Sequence, residues 1–98
     1  MSGRSVFLVA YDIRNPKRLR RIHKTLRGYG DALQFSVFQC KLSAAKKQLL
    51  ITDVSEIIHH AEDRVLIAEL GPEEGRGGRA CQILGRQEMP PDRGPVIL

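Results

Sequence analysis

Apolar residues run without a break through SVFLVAY (5–11). A short continuous run rich in β-branched and aromatic types reads as a strand buried on both faces, in the middle of a sheet. Asn15 followed by Pro16 marks a helix start, because the Asn side chain accepts from an early amide and Pro suits the first helical position. Leu19, Ile22 and Leu26 then recur at helical spacing as a narrow apolar stripe. The helix is expected to reach about residue 27, where Gly28 and Gly30 stop it by supplying a residue that tolerates positive φ. Residues 32–42, ALQFSVFQCKL, alternate Phe35 and Val37 with Ser36 and Gln39, while Phe38 breaks the alternation. One bent strand or two short ones fit this pattern.

Ser43 can cap a second helix over roughly 44–61, with Leu50, Val54, Ile57, Ile58 and Ala61 on one face. His59 and His60 fall at its end, where the helix dipole favours positive charge, and no third metal ligand lies near them in sequence. RVLIAEL (64–70) reads as a strand, and GPEEGRGG (71–78) as a loop too rich in Gly and Pro for regular structure. RACQILG (79–85) and GPVIL (94–98) are short β-prone pieces that must add to a sheet made elsewhere.

This order predicts an α+β fold, a ferredoxin-like βαββαβ sandwich with two helices on one face of an antiparallel sheet. The core would span 1–72 and a C-terminal segment 73–98, within one domain. A chain of 98 residues buries about two-thirds of its unfolded surface, enough for one modest core. The second sheet face needs a cover. A second copy is the simplest one, so the expectation is a homodimer with C-terminal strands adding to the partner's sheet.

Charge sharpens the picture. The net charge is +5, yet the first thirty residues carry eight Lys/Arg against one Asp, and the remainder is slightly acidic. Such asymmetry is the footprint of a polyanion's partner, most commonly nucleic acid. An anionic membrane competes, but the first helix lacks Trp or Phe anchors, so no membrane partner is expected. Cys40 and Cys81 are too few and too far apart for a metal motif, and SVFLVA is shorter than a signal-peptide core. A reduced, cytoplasmic protein follows, with both cysteines as strand residues of no chemistry.

Asp12 stands directly after the central strand, where side chains can converge on a ligand. On sequence alone the plainer reading of Asp12 is a turn residue, or the partner of a neighbouring arginine. Arg14, Lys17, Arg18, Arg20, Arg21, Lys24 and Arg27 follow with no acid before Gly30, so these cations repel one another until an anion neutralises them. They are expected to contact phosphates and to read backbone more than bases. With a phosphodiester across them, a Mg²⁺ ion held by Asp12 could polarise the phosphoryl oxygen and activate water. A two-fold dimer would set a second Asp12 opposite the first and share the Mg²⁺ between subunits.

YDI (11–13), RLRR (18–21), GYG (28–30), LQFSVFQCKLS (33–43), a late ILG (83–85) and the terminal PVIL (95–98) come in an order and spacing that resembles the small CRISPR-associated Cas-two (Cas2) family over essentially the whole chain. The resemblance implies a ferredoxin-like homodimer that bridges dimers of the Cas-one family integrase during spacer acquisition. It also implies a Mg²⁺-dependent endonuclease on single-stranded RNA or duplex DNA, with Asp12 as metal ligand. By the same resemblance Tyr11 would flank the metal, Arg18 and Arg21 would hold phosphate, and Ser36 and Phe38 would line the cleft near the dimer axis. Gln39 stands where the family often has Glu, which removes a second carboxylate, and Leu19 interrupts an arginine pair.

Three functions are therefore weighed: a duplex-binding adaptor that needs the cations alone, a metal-dependent endonuclease that also needs Asp12, and a single-chain RNA-recognition module. The last lacks its Gly and aromatic signature and has five aromatic residues in all, which leaves few stacking platforms. Duplex binding measured against salt should fall with a log-log slope of about −0.9 per phosphate neutralised, and on the sequence reading Arg18→Ala and Arg21→Ala should each remove about one phosphate from it. A salt-independent affinity would contradict the basic-helix reading.

Overall fold

The computed structural model describes residues 3–86. Strands β1 (Ser5–Asp12), β2 (Gly30–Gln34), β3 (Val37–Leu42) and β4 (Arg64–Pro72) form one antiparallel sheet in the order β2-β3-β1-β4. Helices α1 (Pro16–Arg27) and α2 (Ala44–Ile57) connect them as the split βαββαβ arrangement requires. The long apolar run is thus an inner strand, paired on both sides.

Alternation along β1 decides what the core contains. Phe7, Val9 and Tyr11 are buried in the cluster with Ile22 and Leu26 of α1 and Leu50, Val54 and Ile57 of α2. Leu8 and Ala10 point the other way and are only half-buried. Full burial therefore holds on the helix side, while among the described residues the opposite side is only part-covered over Leu8, Ala10 and Val37 and exposed at Leu66.

Several boundaries move, each for a tertiary reason. Asn15 caps α1 as expected, its side chain accepting from the Arg18 amide. Gly28 ends the helix with φ −78°, however, and neither it nor Gly30 adopts positive φ. Gly30 is needed for a different cause: a Cβ there would collide with the Gln39 carbonyl and with Cys40 across the β2–β3 pair. Residues 30–42 resolve into two strands with a tight turn at Phe35 and Ser36. Phe38, Cys40 and Leu42 face the helices, so Phe35 and Val37 are not the core positions; Phe35 is 60% exposed. The irregularity expected here is a register shift between Ala32 and Gln34.

Helix α2 stops at Ile57, four residues short of the expected 61, because Ile58 is extended and the following loop folds back on itself. The amides of Glu62 and Asp63 donate to the His59 carbonyl, and the His59 amide donates to the Asp63 carboxylate. Ala61 is consequently exposed beyond the helix. His60 Nε2 donates to the Ser55 carbonyl at 3.0 Å, in keeping with a histidine that caps a helix end.

GPEEGRGG is not without structure. Its first two residues finish β4, and Arg76–Arg79 form a short 3-10 turn that packs back on β1 and β4. Gly71, still paired with Val6, takes φ +121° at the register shift between β1 and β4. Val6, on the face away from the helices, is fully buried although it lies outside the helix-facing core. RACQILG pairs with neither edge strand among the described residues: Arg79 closes the 3-10 turn, Gly85 takes φ +95°, and Cys81 is accordingly no strand residue. GPVIL lies outside the described residues. No helix among the described residues is long and apolar enough to cross a membrane.

Phe38→Ala should cost about 3–5 kcal/mol of stability in urea unfolding, whereas Phe35→Ala should stay within about 0.5 kcal/mol of wild type.

Candidate nucleic-acid interface and carboxylate site

Asp12 closes β1 between two buried residues, Tyr11 and Ile13, which anchor the chain on either side of it. By strand parity its side chain shares the uncovered face with Leu8 and Ala10, opposite Arg64 of β4. It is exposed, and no hydrogen bond or ion pair reaches its carboxylate among the described residues. The ion pair with a neighbouring arginine that the sequence allowed is not formed among the described residues.

The other residues assigned to this site are dispersed by the same parity. Tyr11 turns inward: its hydroxyl donates to the Phe35 carbonyl at 3.3 Å and lies 3.2 Å from His23 Nδ1. With the phenol proton used on the carbonyl, the network assigns the imidazole proton to Nδ1, so His23 donates to the phenol oxygen. His23 Nε2 is then buried without a partner among the described residues. Burial, reinforced by the Arg27 charge, pushes the His23 pKa down and keeps the ring neutral, and burial pushes the Tyr11 pKa up.

Phe38 does not line an open cleft. It is fully buried, with its ring centroid 5.3 Å from His23 and 6.3 Å from Tyr11, because its register partner Val9 also faces the helices. Ser36 sits in the β2–β3 turn, and its carbonyl accepts the Tyr11 amide at 3.1 Å, which brings the turn beside the end of β1. Gln39 pairs with Leu8 and so shares the open face with Asp12. Cys40 is a buried thiol whose pKa burial pushes up to about 11, with the Asp31 charge adding to it, so it offers no thiolate.

The basic residues divide into two groups. Lys17, Arg20, Arg21 and Lys24 recur at helical spacing on one side of α1 and line a shallow depression of about 290 Å³. That stripe lies opposite the buried Ile22 and Leu26. Arg14 and Arg27 are exposed at the two ends of the helix.

Arg18 departs from the expected phosphate role. Its Nε lies 2.7 Å from Asp63 Oδ2, and its terminal nitrogen reaches Asp63 Oδ1 at 3.2 Å and Glu62 Oε1 at 3.1 Å. The Arg18 side chain is 20% exposed and that of Asp63 not at all. Hydrogen bonds to Asp63 first of all, and then the charges of Asp63 and Glu62, raise the guanidinium pKa above its usual value.

Sequence reasoning missed His23, Asp63 and the Tyr29 hydroxyl that donates to Asp53 at 2.6 Å. His23 follows Ile22 in the apolar stripe and was legible by helical phase. A carboxylate that meets its arginine across 45 residues leaves no periodic trace.

Among the described residues no group of three or more His, Cys, Asp and Glu is placed to hold a metal ion. Mg²⁺ is nevertheless commonly held by one or two carboxylates together with water and substrate phosphate. The exposed, unpaired Asp12 carboxylate suits that donor set.

The Asp63 carboxyl gives this region a defined pH response. Hydrogen bonding from Arg18, against an opposing cost of burial, and the amides of His59 and Arg14 hold its pKa at about 2, below the ordinary 3.8. A depressed carboxyl stabilises the fold above its unfolded pKa, and that stability is lost as the pH falls from 3.8 towards 2. Asp63→Asn should therefore be less stable than wild type near neutral pH, and urea unfolding should show the gap closing over that acid window.

Comparison with known proteins agrees with this architecture. The family described as CRISPR associated protein Cas2 matches residues 5–76. A CRISPR-associated endoribonuclease Cas2 of Geobacter sulfurreducens is 49% identical over 69 residues, covering 70% of this chain and 73% of its own. One from Rhodospirillum rubrum is 39% identical over 89 residues, covering 85% and 87%. The crystal structure of Streptococcus pyogenes Cas2 at pH 6.5 superposes with a TM-score of 0.70 at 30% identity, over 82% of this chain and 99% of its own. The match spans every strand and both helices, from the central strand with Asp12 to the 3-10 turn, and this chain belongs to the CRISPR-associated Cas2 family.

Proposed function

We propose that this protein binds nucleic acid as a homodimer in CRISPR adaptation and cleaves phosphodiester bonds in single-stranded RNA or duplex DNA with Mg²⁺ at Asp12. The observation that carries the reading is the placement of Asp12: exposed and, among the described residues, unpaired and on the sheet face that neither α1 nor α2 covers. A second copy laid over Leu8, Ala10 and Leu66 along a two-fold axis brings its own Asp12 towards the first. The relatives from Geobacter sulfurreducens and Rhodospirillum rubrum, named as endoribonucleases, support the choice of reaction.

In this reading the residues divide the labour. Lys17, Arg20, Arg21 and Lys24 neutralise backbone phosphates, with Arg14 and Arg27 extending the contact at the helix ends. The Asp12 carboxylates of both subunits would hold the Mg²⁺, and Ser36, in the turn beside them, would border the cleft. When bound, the ion supplies Lewis acidity to the phosphoryl oxygen and lowers the pKa of attacking water. Tyr11 acts from beneath: its phenol is tied to Phe35 and His23, so it keeps the strand end in place.

A second reading is an adaptor without catalysis, which binds duplex DNA through the same stripe and bridges integrase dimers of the Cas-one family. It is favoured by Gln39, an amide on the open face that leaves Asp12 as the one carboxylate the β1–β3 pair presents there.

Asp12→Asn separates the two. On the nuclease reading it should lower Mg²⁺-dependent cleavage of labelled single-stranded RNA or duplex DNA by about 100-fold or more while light scattering still reports a dimer. Equal cleavage by mutant and wild type, or none by either, would leave the adaptor.

A further inference from the structure

Asp63 joins three segments of chain at one carboxylate. Arg18 of α1 approaches side-on with Nε at 2.7 Å and its terminal nitrogen at 3.2 Å, a bidentate pairing. The His59 amide donates from the end of α2 at 2.8 Å. The Arg14 amide donates from the β1–α1 loop at 3.4 Å, two residues after Asp12. Asp63 also immediately precedes Arg64, the residue opposite Asp12 in the β1–β4 register.

We infer that Asp63 and Arg18 form a positioning pair that sets the strand end carrying Asp12, so that Arg18 serves cleavage through the placement of that carboxylate and not as a phosphate contact. The inference rests on Asp12 being the reactive carboxylate. Only three residues, Ile13 to Asn15, connect β1 to α1. Their freedom is removed from both ends: Ile13 is buried, and Asn15 caps the amide of Arg18, whose guanidinium grips Asp63.

The charge of Arg18 is already answered by two carboxylates, Asp63 and Glu62. No ion pair is found for the other basic side chains of α1 among the described residues. A neutralised cation releases few counterions when nucleic acid binds, so Arg18 should add nothing to the salt dependence that Lys17, Arg20, Arg21 and Lys24 create. A reacting group held loosely loses rate much more than affinity, which gives the pair a kinetic signature.

The test uses the full-length chain, labelled single-stranded RNA with Mg²⁺ for kinetics, and duplex DNA for salt titration. Arg18→Ala and Asp63→Asn, assayed well below their melting temperatures, should lower kcat by about tenfold or more with KM changed less than about twofold, and leave the salt slope as in wild type. Arg21→Ala should flatten the slope by about one phosphate. Arg18→Lys keeps the charge but not the bidentate geometry, and should recover only part of kcat. Amide exchange is read in parallel: the Arg14 amide should exchange about tenfold faster in Asp63→Asn while Val9 stays protected.

The inference is overturned if Arg18→Ala flattens the slope by about one phosphate with kcat intact, if Arg18→Lys restores full activity, or if the Arg14 amide exchanges as in wild type. Should Asp63→Asn fail to fold, Arg18→Ala decides by kcat against KM and by the salt slope, and Arg18→Lys by its partial recovery of kcat. If wild type itself does not cut, the nuclease reading fails on that result, and the slope and the Arg14 exchange still decide whether the pair holds the strand end.

Discussion

Successive side chains on a β-strand point to opposite faces, and on β1 that rule sends Phe7, Val9 and Tyr11 under the helices while Leu8, Ala10 and Asp12 face away from them. Every later feature inherits this split. The helix side can close into a core because β3 and β4 repeat the alternation in register, Phe38 opposite Val9 and Val65 opposite Tyr11. The other side is left with a row of short apolar residues and one carboxylate at its end. A slip of one residue in β1 would exchange Tyr11 for Asp12, placing an unpaired acid in the core and a phenol on the open face, at a cost of several kcal/mol.

Helix α1 shows two uses of positive charge on one short element. On the face opposite the core, four cations stand together with no acid of their own, which is unfavourable in isolation and suited to a polyanion. About a third of the way round the helix, Arg18 is turned back to the protein by Asp63 and Glu62. The same residue type thus serves binding or local order according to which carboxylate is within reach, and that depends on where the α2–β4 loop folds. The loop in turn shortens α2, because the Asp63 carboxylate takes the His59 amide that would otherwise prolong the helix.

Most of the fold was legible because it depends on local chemistry. Asn15 and Ser43 cap their helices by accepting from amides three residues on, and the apolar stripe of α1 lies at helical period. Where the reading failed, the cause was distant in sequence. Phe35 and Phe38 are equally apolar, and only the pairing of β3 with β1 decides that Phe38 enters the core while Phe35 sits in a turn. Gly30 looked like a helix terminator, yet its lack of a side chain is required by Cys40 on the neighbouring strand. The segment 79–85 has strand composition but pairs with neither β2 nor β4, the edges of the sheet, among the described residues.

The candidate site divides in the same way. Sequence alone determined that a carboxylate follows a central strand and that a cluster of cations follows it, since both are statements about order along the chain. It also determined the βαββαβ succession, through period and capping. Only the tertiary structure decided which of these residues stand together: that Tyr11 and Phe38 belong to the core, that Asp12 is unpaired on the open face, and that Arg18 answers to Asp63. The reason is physical. Helical period and capping act within a few residues, whereas strand register, burial and ion pairing join residues dozens of positions apart, and those contacts exist only once the sheet has closed.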